Sequence, residues 1–458
     1  MPTITTINPA TGTPLATYDS FSPAEIEAAL AEAHTAYLTW ASTDLAKRLD
    51  LLRRVGEVLT ARREEYAALM TAEMGKPLAE ALAEVDKCAW NCDIVAELAP
   101  SWLADHDVAS AASRSWLSYE PLGVVFAVMP WNYPFWQVLR FACAALSAGN
   151  AAVLKHSPNV TGCALVIERL FLDAGAPAGL FRTVVIADEA IADVVPGLIG
   201  DPRIAAVTLT GSERAGAAVG SAAAASLKKS VLELGGSDPF VVLDDADLPA
   251  AADAAVKSRF GNGGQSCIAA KRFIVSDAVA DEFAALLRTR VEALVVGDPT
   301  APGTTVGPMA RADLRAGLDR QVRETVAQGA TLVAGGAPLE GDGYYYLPTI
   351  LDGVLPGMTA FTEETFGPVA PIIRARDDDH AVELANDTDY GLGAAVWSGS
   401  ERGLAVGRRI RSGALFVNAV VASDPRLPFG GIGRSGYGRE LSAEGTREFT
   451  NVRTVFVA

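Results

Sequence analysis

Three residues in this sequence are of the types that carbonyl chemistry uses, and each stands beside a turn. Cys267 closes the run Phe260-Gly261-Asn262-Gly263-Gly264-Gln265-Ser266-Cys267-Ile268. Glycine permits positive φ and close approach of backbone to a ligand. A thiol after such a loop is either a nucleophile, reactive as thiolate, or a small buried residue behind a turn. Glu233 precedes Leu234-Gly235-Gly236. It reads as a general base if an apolar site raises its pKa, or as a strand-end carboxylate before a turn. Asn132 lies in Pro130-Trp131-Asn132-Tyr133-Pro134. Its amide would donate to a developing oxyanion, or merely cap a proline-bounded loop.

Two further stretches suit a phosphorylated ligand. Thr210-Gly211-Ser212-Glu213-Arg214-Ala215-Gly216 joins an expected strand to an expected helix. Backbone N–H groups at a helix start hold phosphate, although this is not the G-x-G-x-x-G pattern and a plain turn reads equally well. Lys155-His156-Ser157-Pro158 ends another expected strand. A lysine there reaches a ribose or phosphate at the ligand crevice, or faces solvent.

The elements that must position these residues follow from periodicity. Ser22-Pro23-Ala24-Glu25 forms a capping box with proline at the first helical position. Helical spacing continues through Trp40, from Asp44 to Met74, and from Leu78 to Leu98. Beyond Glu120, apolar runs alternate with helices: 124–129, 151–154, 183–186, 205–209 and 240–243. That alternation predicts an α/β fold with parallel sheets. Further strands are expected at 272–275, 332–334 and 394–396, with helices at 250–260 and 278–295.

Composition sets the limits. The chain has 458 residues, of which 50% are hydrophobic and 20% charged, enough for two or three domains. The net charge of −17 disfavours a nucleic-acid partner while permitting a local basic pocket. No apolar run reaches membrane-spanning length, and residues 1–6 lack the pattern of a secretory leader. Five cysteines are too few for a disulfide framework, so a reducing cytoplasm is expected. Cys88 and Cys92 lie four apart on a helix, but no second pair supports a metal site and none is expected. His34 and His106 stand in no motif.

Taken in order, Asn132, Lys155, Gly211-Ser212, Glu233 and Cys267 resemble the aldehyde dehydrogenase superfamily over nearly the whole chain. Ile7-Asn8-Pro9-Ala10-Thr11-Gly12, Glu363-Glu364-Thr365-Phe366-Gly367-Pro368, Pro428-Phe429-Gly430-Gly431 and Ser435-Gly436 extend the likeness. The resemblance implies a Rossmann-type cofactor domain (1–112 and 122–235), an α/β catalytic domain (236–436) and a small β oligomerisation element (113–121 and 437–458). It implies oxidation of an aldehyde to a carboxylic acid. Cys267 would add to the carbonyl, giving a thiohemiacetal. Asn132 and the Cys267 N–H would hold the oxyanion. Hydride loss to a nicotinamide would leave a thioester, which Glu233 and water would hydrolyse.

For the cofactor, the resemblance assigns Trp131, Lys155, Ser157, Thr210, Gly211, Ser212, Leu234, Glu364 and Phe366. Pro158 stands where many relatives have a ribose-binding glutamate, so NADP is expected ahead of NAD. For the substrate, Arg140 lies eight residues after Asn132, as in the succinate-semialdehyde dehydrogenases, and the compact bacterial NADP-type enzymes are the nearest in pattern. A guanidinium fork suits the substrate carboxylate. A second arginine, six residues before the cysteine in those enzymes, is Gly261 here, leaving Ser423 and Arg426 as replacements. The β-branched run 452–457 suits an edge strand needing a partner, and a homodimer or homotetramer is expected. Rival readings are a dehydrogenase for another small aldehyde, an acylating enzyme using coenzyme A, a thiol hydrolase lacking its histidine partner, and a binding protein without turnover.

Overall fold

Two parallel sheets, one in each half of the chain, place strand ends on either side of one cleft. The structure is a computed structural model and describes residues 2–458. The first sheet runs in the order Gly436–Tyr437, Lys229–Glu233, Ile204–Thr210, Val124–Met129, Ala151–His156, Phe181–Thr183. All pairs are parallel except Gly436–Tyr437, which returns antiparallel along Lys229–Glu233. From Val124–Met129 the chain winds outward to Phe181–Thr183, then crosses back to Ile204–Thr210 on the other side. This reversal creates a crevice at the carboxyl ends of Val124–Met129 and Ile204–Thr210, where α/β sheets bind ligands. Pro130-Trp131-Asn132 follow the first of those ends, and Thr210 closes the second, followed by Gly211-Ser212.

The strands of this sheet are buried almost throughout, because helices cover both faces. Pro23–Trp40, Leu45–Ala61, Arg63–Met74 and Leu78–Trp102 pack into the same core. Ser22 and Glu25 form the expected capping box, with the Glu25 carboxylate accepting from Ser22 N–H at 2.7 Å. The expected helix from Asp44 to Met74 is interrupted at Arg62, whose φ of −112° leaves the helical range. The last strand of the parallel set is Phe181–Thr183 rather than 183–186, because Val184-Val185-Ile186 continue the apolar run after the sheet pairing has ended.

The second sheet has seven strands, in the order Thr331–Ala334, Thr349–Asp352, Val369–Ala375, Arg272–Ser276, Pro239–Val242, Gly393–Trp397, Ala414–Val417. Only the edge strand Thr331–Ala334 is antiparallel. A third, small sheet pairs Thr450–Val457 with Arg114–Pro121, which in turn pairs with His106–Asp107. Thr450–Val457 therefore has one unpaired edge, and Val452 and Phe456 are exposed on it. The segment 435–449 lies elsewhere: Gly436–Tyr437 extends the first sheet, and Phe449 and Leu441 pack into its core. Among the described residues no helix is long and apolar enough to cross a membrane.

Candidate active site

Cys267 is held at the cleft by a loop that only glycines and an asparagine could form. Asn262, Gly263 and Gly264 have φ of +54°, +61° and +74°. A side chain on Gly264 would collide with the carbonyl of Gly367, so the two loops touch backbone to backbone. Arg259, fully buried, fastens them. Its guanidinium donates to the carbonyls of Gly264 at 2.6 Å, Gly367 at 2.8 Å, Ala270 at 3.2 Å and Thr365 at 3.3 Å. Burial pulls Arg259 down to about 9, with Glu364 opposing.

Two cavities meet at Cys267. One, of about 410 Å³, is lined by Lys87, Trp136, Arg140, Gly261, Ser423 and Phe429, among others. The other, of about 250 Å³, is lined by Trp131, Asn132, Thr210, Gly211, Ser212, Leu234, Glu364 and Phe366, among others. Cys267 and Gln137 belong to both walls. A larger depression of about 800 Å³ lies between the helices Pro23–Trp40 and Leu45–Ala61 and contains none of the candidate residues. The chemistry belongs to the smaller pair, where a thiol and convergent polar groups coincide.

The Asn132 amide has one fixed orientation. Its Nδ2 donates to the Gln265 carbonyl at 3.0 Å, and its Oδ1 accepts from Gln137 Nε2 at 3.0 Å. One Nδ2 proton remains uncommitted. The Cys267 N–H likewise has no hydrogen-bond acceptor among the described residues. The thiol itself is pushed up to about 11, first by burial, with Lys271 and Arg140 opposing and Glu233 and Asp238 reinforcing.

Glu233 is only 2% exposed and lines neither cavity. Its carboxylate points to Gly430, where a Cβ would come within 2.6 Å of Oε1. Both oxygens lack a hydrogen-bond partner. Burial, then repulsion from Glu440, holds this carboxyl well above its ordinary value, and Arg140 and Arg439 act against that. Arg140 forms a buried ion pair with Glu440, lies 4.7 Å from the Phe429 ring and donates to Thr210 Oγ1 at 3.3 Å. Its guanidinium lines the first cavity, but its charge is already partnered.

On the second cavity, Glu364 pairs with Lys271 at 2.7 Å and accepts from Gly236 N–H at 3.2 Å. Lys271 also donates to the Cys267 carbonyl at 2.6 Å, so one ammonium ties the Cys267 loop to Glu364. Phe366 meets Trp131 edge-on, with ring centroids 5.8 Å apart. Ser212 caps the helix Glu213–Ala225 by accepting from Ala215 N–H at 3.3 Å. Lys155 lines neither cavity; it is 5% exposed and its ammonium makes no hydrogen bond or ion pair among the described residues. Burial draws it down to about 8, with Asp188 opposing. An unpartnered buried cation fits a phosphate-bearing ligand. Ser157 is nearby in sequence, its hydroxyl donating to Asn159 at 2.7 Å, and lines neither cavity.

One expected substrate residue lies outside. Arg426 is exposed, pairs with Asp424 at 2.6 Å and lines neither cavity. A two-residue ion pair folds it back on its own loop. Ser423 is in the first cavity as expected. Gln137, Lys87, Arg259, Lys271 and Glu440 join the site without having been singled out from sequence. Gln137 lies five residues after Asn132, in the first turn of the next helix, and that spacing was the available signal.

A family model for aldehyde dehydrogenases matches residues 2–455, and the chain belongs to the aldehyde dehydrogenase family. It is 49% identical, over 99% of this chain and the whole of the relative, to a protein of Synechocystis sp. described as a probable NADP-dependent succinate-semialdehyde dehydrogenase. It is 48% identical to the succinate semialdehyde dehydrogenase [NAD(P)+] Sad of Escherichia coli, over 98% of this chain and 97% of that one. Among solved structures, succinic semialdehyde dehydrogenase from Streptococcus pyogenes in complex with NADP+ superposes with a TM-score of 0.96 at 38% identity, covering 99% of both chains.

Proposed function

We propose that this chain oxidises succinate semialdehyde to succinate with NADP, and with NAD less well. The observation that carries the reading is Cys267 on the shared wall of two cavities, one with cations and Ser423, the other with the Gly211-Ser212 turn and Glu364. Its relatives of nearly half-identical sequence bear names of that activity.

The chain's own groups supply each step. The Cys267 thiolate bonds to the aldehyde carbon, and the oxygen takes the negative charge. The free Asn132 Nδ2 proton and the Cys267 N–H receive that oxyanion. Bound NADP supplies the hydride acceptor. Collapse of the oxyanion then leaves a thioester on Sγ. Glu233 turns from Gly430 toward Sγ, takes a proton from water and so frees the acid and the thiolate. Trp131, Thr210, Gly211, Ser212, Leu234, Glu364 and Phe366 bind the nicotinamide half of the cofactor and its pyrophosphate. Lys155 and Ser157 bind the adenosine end, including its 2′-phosphate. Arg140 and Ser423 border the substrate.

The expected division of 1–112 with 122–235, 236–436, and 113–121 with 437–458 accompanies this reading, with 437–449 moved to the cofactor domain. The open edge of Thr450–Val457 suits pairing with a second copy, and a homodimer or homotetramer in the cytoplasm is the proposed form. All five cysteines are free, which suits a reducing compartment. The test is steady-state oxidation of succinate semialdehyde, butanal and longer aldehydes, with each cofactor and with and without coenzyme A. Failure to favour the semialdehyde refutes the substrate, and product acyl-coenzyme A in place of succinate refutes the hydrolytic half-reaction.

A further inference from the structure

The cavity in front of Cys267 has three cations on its wall, and they are not equivalent. Arg140 is 3% exposed and paired with Glu440. Lys257 is exposed at the rim. Lys87 comes from the helix Leu78–Trp102, and its Nζ donates to Ser423 Oγ at 2.7 Å and lies 4.3 Å from the Trp136 ring centroid. It has no carboxylate within ion-pair distance among the described residues. The nearby acids are engaged elsewhere. Glu84 is paired with Lys76 and accepts from the N–H groups of Phe135 and Trp136, both at 2.9 Å. Asp424 is paired with Arg426 at 2.6 Å, and Glu80 accepts from Asn262 N–H at 2.8 Å. Gly261, where a second arginine was sought, lines the same cavity and contributes no charge.

We propose that Lys87, with Ser423 beside it, binds the substrate carboxylate, while Arg140 on the same wall has part of its charge engaged by Glu440. This rests on the reading that the substrate is a semialdehyde bearing a carboxylate. A cation half out of water, bonded to a hydroxyl and stacked on an indole, gains most from an arriving anion. Burial, and secondarily Arg140, draws Lys87 down to about 8, with Cys88, Glu84 and Asp424 opposing. A bound carboxylate would raise it again. The Ser423 hydroxyl, which accepts from Lys87, keeps its own proton to donate to the second carboxylate oxygen.

The test compares Lys87→Met, Lys87→Arg and Arg140→Met in the full-length enzyme, on succinate semialdehyde and on butanal, with succinate as competitive inhibitor. Lys87→Met is expected to lower the ratio of kcat/KM for the semialdehyde to that for butanal by roughly tenfold or more, through KM, the scale of one lost charge-assisted contact. The succinate inhibition constant should rise in parallel, and Lys87→Arg should recover most of both. A wild-type preference for the semialdehyde that survives Lys87→Met overturns the Lys87 assignment alone. So does a change of ratio confined to Arg140→Met. A wild-type enzyme without that preference overturns the substrate reading itself.

Discussion

Gln137 Nε2 donates to Asn132 Oδ1 at 3.0 Å, and this bond decides which way the Asn132 amide faces. With Oδ1 taken and one Nδ2 proton on the Gln265 carbonyl, the remaining proton is the only one left for an oxyanion. Gln137→Met removes the donor with little change of volume and frees the amide to rotate. Because losing a whole oxyanion donor costs roughly 10²–10³ in rate, a misaligned one should cost about tenfold or more in kcat/KM. The loss should be equal for charged and uncharged aldehydes. An unchanged kcat/KM would show that Asn132 is oriented without Gln137.

The Cys267 thiol is pushed up to about 11. In the free enzyme it is therefore protonated near neutrality, and the thiolate fraction grows about tenfold per pH unit below that value. Alkylation of Cys267 by iodoacetamide, followed by mass spectrometry, should accelerate log-linearly from pH 7 to pH 10. Saturation of the rate near pH 7 would mean that the thiol is already ionised.

Glu440 raises Glu233, and Arg140 lowers it. As a base, Glu233 works only when deprotonated, so activity limited by hydrolysis rises with pH through its pKa. Glu440→Gln removes the repulsion and leaves Arg140 to favour the Glu233 anion. The ascending limb of kcat against pH should then move to lower pH. Arg140→Met should move it upward. Single-turnover release of succinate, measured across pH, separates this step from hydride transfer. A limb that stays still in both variants would sink the coupling.

Lys155 is a buried ammonium with no hydrogen-bond or ion-pair partner among the described residues. Lys155→Met should raise KM for NADP more than for NAD, since only the former presents a 2′-phosphate. Pro158→Glu should shift preference toward NAD by placing a like charge opposite that phosphate. Fluorescence titration of the two reduced cofactors reads the same difference without turnover. Equal losses for both cofactors in Lys155→Met would place the lysine on the shared part of the ligand.

In the sequence, Cys267, Asn132 and Gly211-Ser212 stand out because each sits in its own turn, where glycine, proline and a polar residue announce a strand end, and only their order and the family resemblance gave them roles. The alternating apolar runs likewise revealed the first sheet, since strands buried on both faces must be continuously apolar. What was hidden acts across the fold. Lys87 reads as one more polar residue on an amphipathic helix until Ser423, 336 residues later, is seen to accept its proton. Glu440 lies eleven residues after Phe429 in sequence, yet faces Arg140 from another part of the chain. Arg426 stands close to Pro428 in sequence, but its side chain is exposed and pairs with Asp424 on its own loop, outside the cavity. Arg259 was legible only as a basic residue near a helix end, and its four carbonyl partners exist only once two loops meet.

Four of the five cysteines, Cys88, Cys92, Cys143 and Cys163, are sealed in the core, and Cys267 alone is not. Peroxide and electrophiles thus find a single entrance to this chain's sulfur chemistry. On the proposed role of Cys267, damage there would silence the enzyme while the scaffold stays whole, so the dose that spends one thiol per chain would also be the dose that ends turnover.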